Sequence, residues 1–194
     1  MHEEEVGEMK IIYLIHGWGE SPKSEAWFKW LNEESKKRNY KLIIPEMPNT
    51  NNPKIDEWLN KLNNIIKPNE DTYLIGHSIG CRTIMRYLEK LPKEIKFRWI
   101  IFVAGWFNLL ESAYEDNQEK YIAKPWLEIP INAEKVKQHT DKVLAIFSDN
   151  DPCVPLSDSK IFREKLGAKV IIKKNEEHFN DTIKIKEMLN FIER

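Results

Sequence analysis

The strongest constraint on this chain is a rhythm. Short, nearly unbroken apolar runs recur at residues 10–15 (KIIYLI), 41–44 (KLII), 72–75 (TYLI), 98–104 (RWIIFVA), 142–147 (KVLAIF) and 169–172 (KVII). A strand with one wet face alternates apolar and polar residues, whereas continuous runs of Val, Ile, Leu and aromatics are those of strands covered on both faces. Between them stand stretches with apolar residues at helical spacing: 24–38 with Trp27, Trp30 and Leu31, 54–67 with Ile55, Trp58, Leu59 and Leu62, then 79–91, 157–166 and 181–193. Pro53 and Asp181 suit helix starts, and Gly167 suits a stop. Strand and helix in alternation mean βαβ units with right-handed crossovers. The expected fold is a three-layer α/β/α sandwich around a mostly parallel sheet of about six strands.

One segment interrupts the rhythm. Residues 106–140 are too long for a simple connection and hold two prolines and several large apolar side chains. They read as an insertion with a short helix near 108–120 and another near 133–139, in the position of a lid or pocket wall. The 194 residues suffice for one domain, 1–194, with a substantial core. With 30 Lys+Arg against 31 Asp+Glu, the charge balance gives no reason to expect nucleic acid or an anionic membrane as a partner. No apolar run approaches the roughly 20 residues that span a bilayer, and the acidic MHEEEVGEMK start does not read as a secretory signal. Two cysteines, Cys81 and Cys153, make neither a disulfide framework nor a Cys/His metal pattern. The expectation is a cytoplasmic protein with free thiols, no metal and no cofactor.

In open parallel sheets ligands bind beyond the carboxyl ends of the strands, so chemistry is expected in the residues just after each one. Four segments there are informative. GHSIG, residues 76–80, is a G-x-S-x-G pattern between an apolar run and a helical one. A sharp strand-to-helix turn puts its middle residue in a strained conformation, and side chains two positions away would collide with the turn. Gly76 and Gly80 avoid this, leaving Ser78 exposed at the tip and the Ile79 N–H at a helix N-terminus, where negative charge is favoured. HGWGESP, residues 16–22, exposes backbone N–H groups, and Trp18 N–H with Ile79 N–H is the expected pair of oxyanion donors. The alternative for this loop is a tight turn with a satisfied histidine.

FSDNDPCVP, residues 147–155, offers Asp149 and Asp151 as acids on a turn. Asp151 is favoured because Pro152 and Pro155 stiffen the loop that begins there, although a structural Asp-Pro turn is the other reading. NEEHFND, residues 175–181, holds His178, which among His2, His16, His77, His139 and His178 alone follows a strand downstream of the candidate acid. The order Ser78, Asp151, His178 is one of the known triad orders. The chemistry expected is acyl transfer: His178 takes a proton from Ser78, which attacks a carbonyl, and water clears the acyl-enzyme. Trp106, Trp126 and Phe179 are candidate walls of an acyl pocket, with core packing as the plainer reading.

With HGWGESP, GHSIG, KPWLEIP (124–130), DPCVP (151–155) and EHFN (177–180), the chain resembles the α/β-hydrolase superfamily. More closely, it is similar to the small single-domain serine hydrolases grouped with retinoblastoma-binding protein nine and the bacterial YdeN-type esterases. The resemblance covers almost the whole chain and implies Ser78 as nucleophile, Asp151 as acid and His178 as base. Many relatives have glycine before the histidine, where this chain has Glu177, a charge that could raise the base's pKa. Retinoblastoma binding does not carry over, because no L-x-C-x-E motif occurs. The leading expectation is a carboxylesterase acting on a small-molecule ester with a small or medium acyl group. A peptidase, thioesterase or lactonase with the same triad, or a non-catalytic binding member of the fold, are the alternatives.

Overall fold

The computed structural model describes residues 10–193, so the acidic N-terminal segment and His2 lie outside the described residues. Six strands form one parallel sheet in the order β2-β1-β3-β4-β5-β6. They are β1 (Lys10–Ile15), β2 (Tyr40–Ile43), β3 (Thr72–His77), β4 (Trp99–Val103), β5 (Val143–Ser148) and β6 (Lys169–Lys173). The helices are α1 (Ala26–Lys37), α2 (Ile55–Ile65), α3 (Ile79–Leu88), α4 (Asn117–Glu128), α5 (Ala133–Lys137), α6 (Asp158–Leu166) and α7 (Lys186–Ile192).

Period-2 geometry explains why the runs are continuous. Along β1, Ile12 and Leu14 face one layer with Trp27, Phe28 and Leu31 of α1 and Met188 of α7. Tyr13 and Ile15 face the other, with Trp58, Leu59 and Leu62 of α2 and Ile84, Met85 and Leu88 of α3. Every residue of β3, β4 and β5 is buried. The edge strands β2 and β6 are only partly covered and carry lysines, which discourage edge-to-edge pairing. Each buried Val, Leu, Ile or Phe contributes about 1.5–3 kcal/mol to the two layers.

Two expected helices start later than the sequence suggests. Asp181 does not begin a helix: the chain from β6 runs through a loop, with Asn175, Glu177 and Phe179 at positive φ, and α7 starts only at Lys186, after the non-helical Ile185. In the insertion, residues 111–113 form only a 3₁₀ turn, and α4 begins where Asp116 accepts a hydrogen bond from Glu119 N (2.9 Å). The insertion is fastened to the body. Buried Arg82 and Arg86 of α3 donate to the Trp126 carbonyl, Arg86 also reaches Ile129 O (2.5 Å), and Trp126 Nε1 donates to Pro53 O (2.9 Å). Cations at the carbonyl end of α4 also complement its dipole.

Candidate active site

The site begins at the turn from β3 into α3. Ser78 has φ 51° and ψ −121°, a conformation that L side chains rarely adopt. The turn is held from both sides: Ser78 N–H donates to Val103 O (3.0 Å), and Ser78 O accepts from Cys81 N (3.0 Å). A Cβ on Gly76 would lie 2.7 Å from Cys81 N, and one on Gly80 would lie 2.8 Å from His16 O and closer still to Ile15 O. Backbone cannot yield as a flexible side chain can, so both positions require glycine.

After β1, His16 is buried and satisfied. Its Nδ1 lies 3.0 Å from Gly17 O and its Nε2 accepts from Met47 N (3.3 Å), an arrangement of the neutral ring. Burial lowers its pKa and agrees with that state. The Gly17 N–H donates to Glu20 Oε2 (2.6 Å) and the Gly19 N–H to Thr50 O (2.9 Å). Trp18, between them, lines the same cavity of about 640 Å³ as Ser78, Ile79, Trp106 and His178.

The loops after β5 and β6 are laced together. Asp149 Oδ1 accepts from Asn175 N (2.9 Å), Glu176 N donates to Ser148 Oγ (3.0 Å), and Glu177 N donates to Asn150 Oδ1 (2.9 Å). This lacing brings His178 Nδ1 within 3.0 and 2.9 Å of the two Asp151 oxygens. Asp151 Oδ1 also accepts from Cys153 N (2.8 Å) and Val154 N (3.0 Å), which fixes the carboxylate on its turn. Thus Asp151 meets the histidine, while Asp149 joins the two loops. Glu177 has φ 47°, a left-handed conformation that explains why glycine suits this position.

Two of the three candidate pocket walls lie elsewhere. Trp106 lines the cavity, but Trp126 packs edge-on against Trp58 and lines a separate groove between α2 and α4. Phe179 is fully buried in the layer with α1 and α7. Both are large apolar surfaces that the core consumes, a competition that their positions in the chain do not reveal.

Three acidic or basic groups here lack a local sequence signal. His77, fully buried beside Ser78, has Nδ1 2.7 Å from Glu20 Oε1 and Nε2 2.9 Å from the His178 carbonyl oxygen. Burial alone would lower its pKa, but the Glu20 carboxylate and the bonds to Glu20 and His178 outweigh it and raise the value to about 9. Cationic His77 therefore pairs with Glu20 through Nδ1 and donates from Nε2 to the His178 carbonyl. Glu20, despite burial, is held below the usual carboxylate range by His77 and the Gly17 N–H. Glu25, also on the cavity, is raised to about 7 by burial and then by Glu20. Glu20 and His77 stand inside the HGWGESP and GHSIG stretches, yet nothing in either pattern pairs them.

Asp151, Cys153 and His178 place potential ligand atoms within 4.8 Å of one another. The histidine nitrogen is already committed to Asp151, and burial followed by Asp151 raises the Cys153 thiol to about 11. The raised thiol disfavours the thiolate form that a metal would bind.

Comparison with known proteins fits this geometry. The YdeN protein of Bacillus subtilis is 28% identical over 171 residues, covering 88% of this chain and 86% of that protein. The serine hydrolase RBBP9 of Rattus norvegicus is 23% identical over 174 residues, covering 89% and 88%. The crystal structure of the B. subtilis ydeN gene product superposes with a TM-score of 0.84 at 25% identity, over 95% of this chain and 100% of that one. The family model described as serine hydrolase matches residues 12–187, and the chain belongs to that family, in an α/β-hydrolase fold.

Proposed function

We propose that this serine hydrolase is a carboxylesterase for small or medium acyl esters, working through Ser78, His178 and Asp151. The observation that carries the reading is the His178–Asp151 contact at 2.9–3.0 Å in the cavity that Ser78 enters from a strained turn. Asp151 orients the imidazole and stabilises its cation, leaving Nε2 to take the Ser78 proton. Ser78 Oγ then bonds to the ester carbonyl carbon, and the carbonyl π electrons move to oxygen. The Trp18 and Ile79 N–H groups are assigned to that oxyanion, since the neighbouring Gly17 and Gly19 N–H groups are committed elsewhere. Collapse expels the alcohol with the proton from His178, and water repeats the sequence on the acyl-enzyme. Trp106 supplies an apolar wall for the acyl chain.

The test is labelling with a fluorophosphonate, followed by a p-nitrophenyl ester series of increasing acyl length. The wild type labels at Ser78, Ser78→Ala does not, and turnover falls once the acyl chain exceeds the cavity. Equal labelling of the mutant would remove Ser78 from the mechanism.

A further inference from the structure

The cavity that holds Ser78 and His178 is lined by four carboxylates, Glu20, Glu25, Glu115 and Glu119, and by no lysine or arginine among the described residues. The chain as a whole has nearly equal numbers of acidic and basic residues, so this wall is a local selection of one sign. Three of the four are accounted for or open to water. Glu20 faces cationic His77, Glu119 Oε2 accepts from Glu115 N (2.7 Å), and Glu115 is exposed.

Glu25 is different. It is only 6% exposed, and its Oε2 is buried with no hydrogen-bond partner. It occupies the N-cap position of α1, but its side chain makes no capping bond and instead lines the cavity. Glu20 and Asp181 oppose its ionisation. His77, the nearby cation, makes its closest charge contact with Glu20, at 2.7 Å, and its hydrogen bond to the His178 carbonyl. A buried carboxylate without a partner costs stability, and a cation that arrived in the cavity would relieve that cost.

We propose that the cavity recognises esters that carry an ammonium group, and that Glu25 receives it. The proposal deepens the esterase reading and rests on it for the reaction, but not for binding. An N–H of the ammonium pairs with the Glu25 carboxylate, and Trp18 on the same cavity adds an aromatic surface suited to a cation. The charge could sit on the acyl or the alcohol side of the ester bond, since both sides share the chemistry that Glu25 reads.

Binding is measured by calorimetry with Ser78→Ala protein at about pH 8, where Glu25 is largely ionised, using charged and neutral pairs of matched shape. Ethyl 3-aminopropanoate against ethyl butanoate places the charge on the acyl side. 2-(Dimethylamino)ethyl acetate, whose protonated amine carries an N–H, against 3-methylbutyl acetate places it on the alcohol side. In at least one pair the charged member should bind about tenfold or more tightly, and Glu25→Gln should bring that ratio to within about twofold of unity. The pair that discriminates identifies the side. Equal binding in both pairs, or a preference that survives Glu25→Gln, overturns the proposal. Equal binding in both pairs overturns the proposal even if the Gln variant does not fold. Fluorophosphonate labelling of the wild type is scored separately, so an inert Ser78 would sink the esterase reading without touching this result.

Discussion

Glu20 and His77 form a buried ion pair, Oε1 to Nδ1 2.7 Å, that connects the loop after β1 to the loop bearing His178. Glu20 accepts from the Gly17 N–H, and His77 contacts the His178 carbonyl, so one pair braces two parts of the site. Removing one charge from such a pair strands the other in the interior. Stranded His77 sheds its proton at neutral pH, so Glu20→Gln is expected to lose about 2–3 kcal/mol in urea denaturation there. A loss below about 1 kcal/mol would mean that His77 is not a cation.

The same pair sets a pH dependence. The folded pKa of His77, about 9, lies above the ordinary histidine value of 6.5. Its contribution is therefore complete below about pH 6.5 and is lost as pH rises through about 9. Wild-type stability should decline across that window, more steeply than that of Glu20→Gln. Parallel curves for the two proteins would contradict the assignment.

Asp149 and Asp151 stand two residues apart, and only Asp151 touches His178. Asp151→Asn keeps an oxygen for the Cys153 and Val154 N–H groups but cannot orient and stabilise the imidazolium. Its kcat is expected to fall by about 10⁴-fold. Asp149→Asn keeps the bond to Asn175 and should change kcat less than about tenfold. Steady-state kinetics on a p-nitrophenyl ester read both, and the reverse ranking would transfer the acid role to Asp149.

At Gly80 the obstacle to a side chain is backbone, the carbonyls of Ile15 and His16. At Gly167 a Cβ would meet nothing within 4 Å, and only φ +66° opposes substitution. Gly80→Ala should therefore lose about 3 kcal/mol or more, against roughly 1–2 kcal/mol for Gly167→Ala. Thermal unfolding of the two variants measures the difference, and equal losses would show that the approach of α3 to β1 is looser than the fold implies.

Glu177 pays for its left-handed φ of 47° while its side chain is exposed and its N–H serves Asn150. Glycine would relieve the strain and give back part of the gain as unfolded-chain entropy. Glu177→Gly should raise stability by about 0.5–1 kcal/mol, visible as a higher Tm. A lower Tm would show that the side chain contributes more than the strain costs.

Much of this protein was legible in its residues alone. Six apolar runs specify six strands because strands buried on both faces have no polar positions to spare. Gly76, Ser78 and Gly80 specify the elbow because the steric demand of the turn is local. Other features depend on which distant groups share a buried space. His77 and the His178 carbonyl are 101 positions apart, and Glu20 meets His77 only because β1 and β3 are neighbours in the sheet. The same is true of Trp126 and Phe179, whose large apolar faces are claimed by the two core layers rather than by the cavity. Local pattern reports backbone geometry and periodic burial. Which charge is paired and which carboxylate oxygen is left without a partner are settled by desolvation and proximity, and these exist only once the chain has folded.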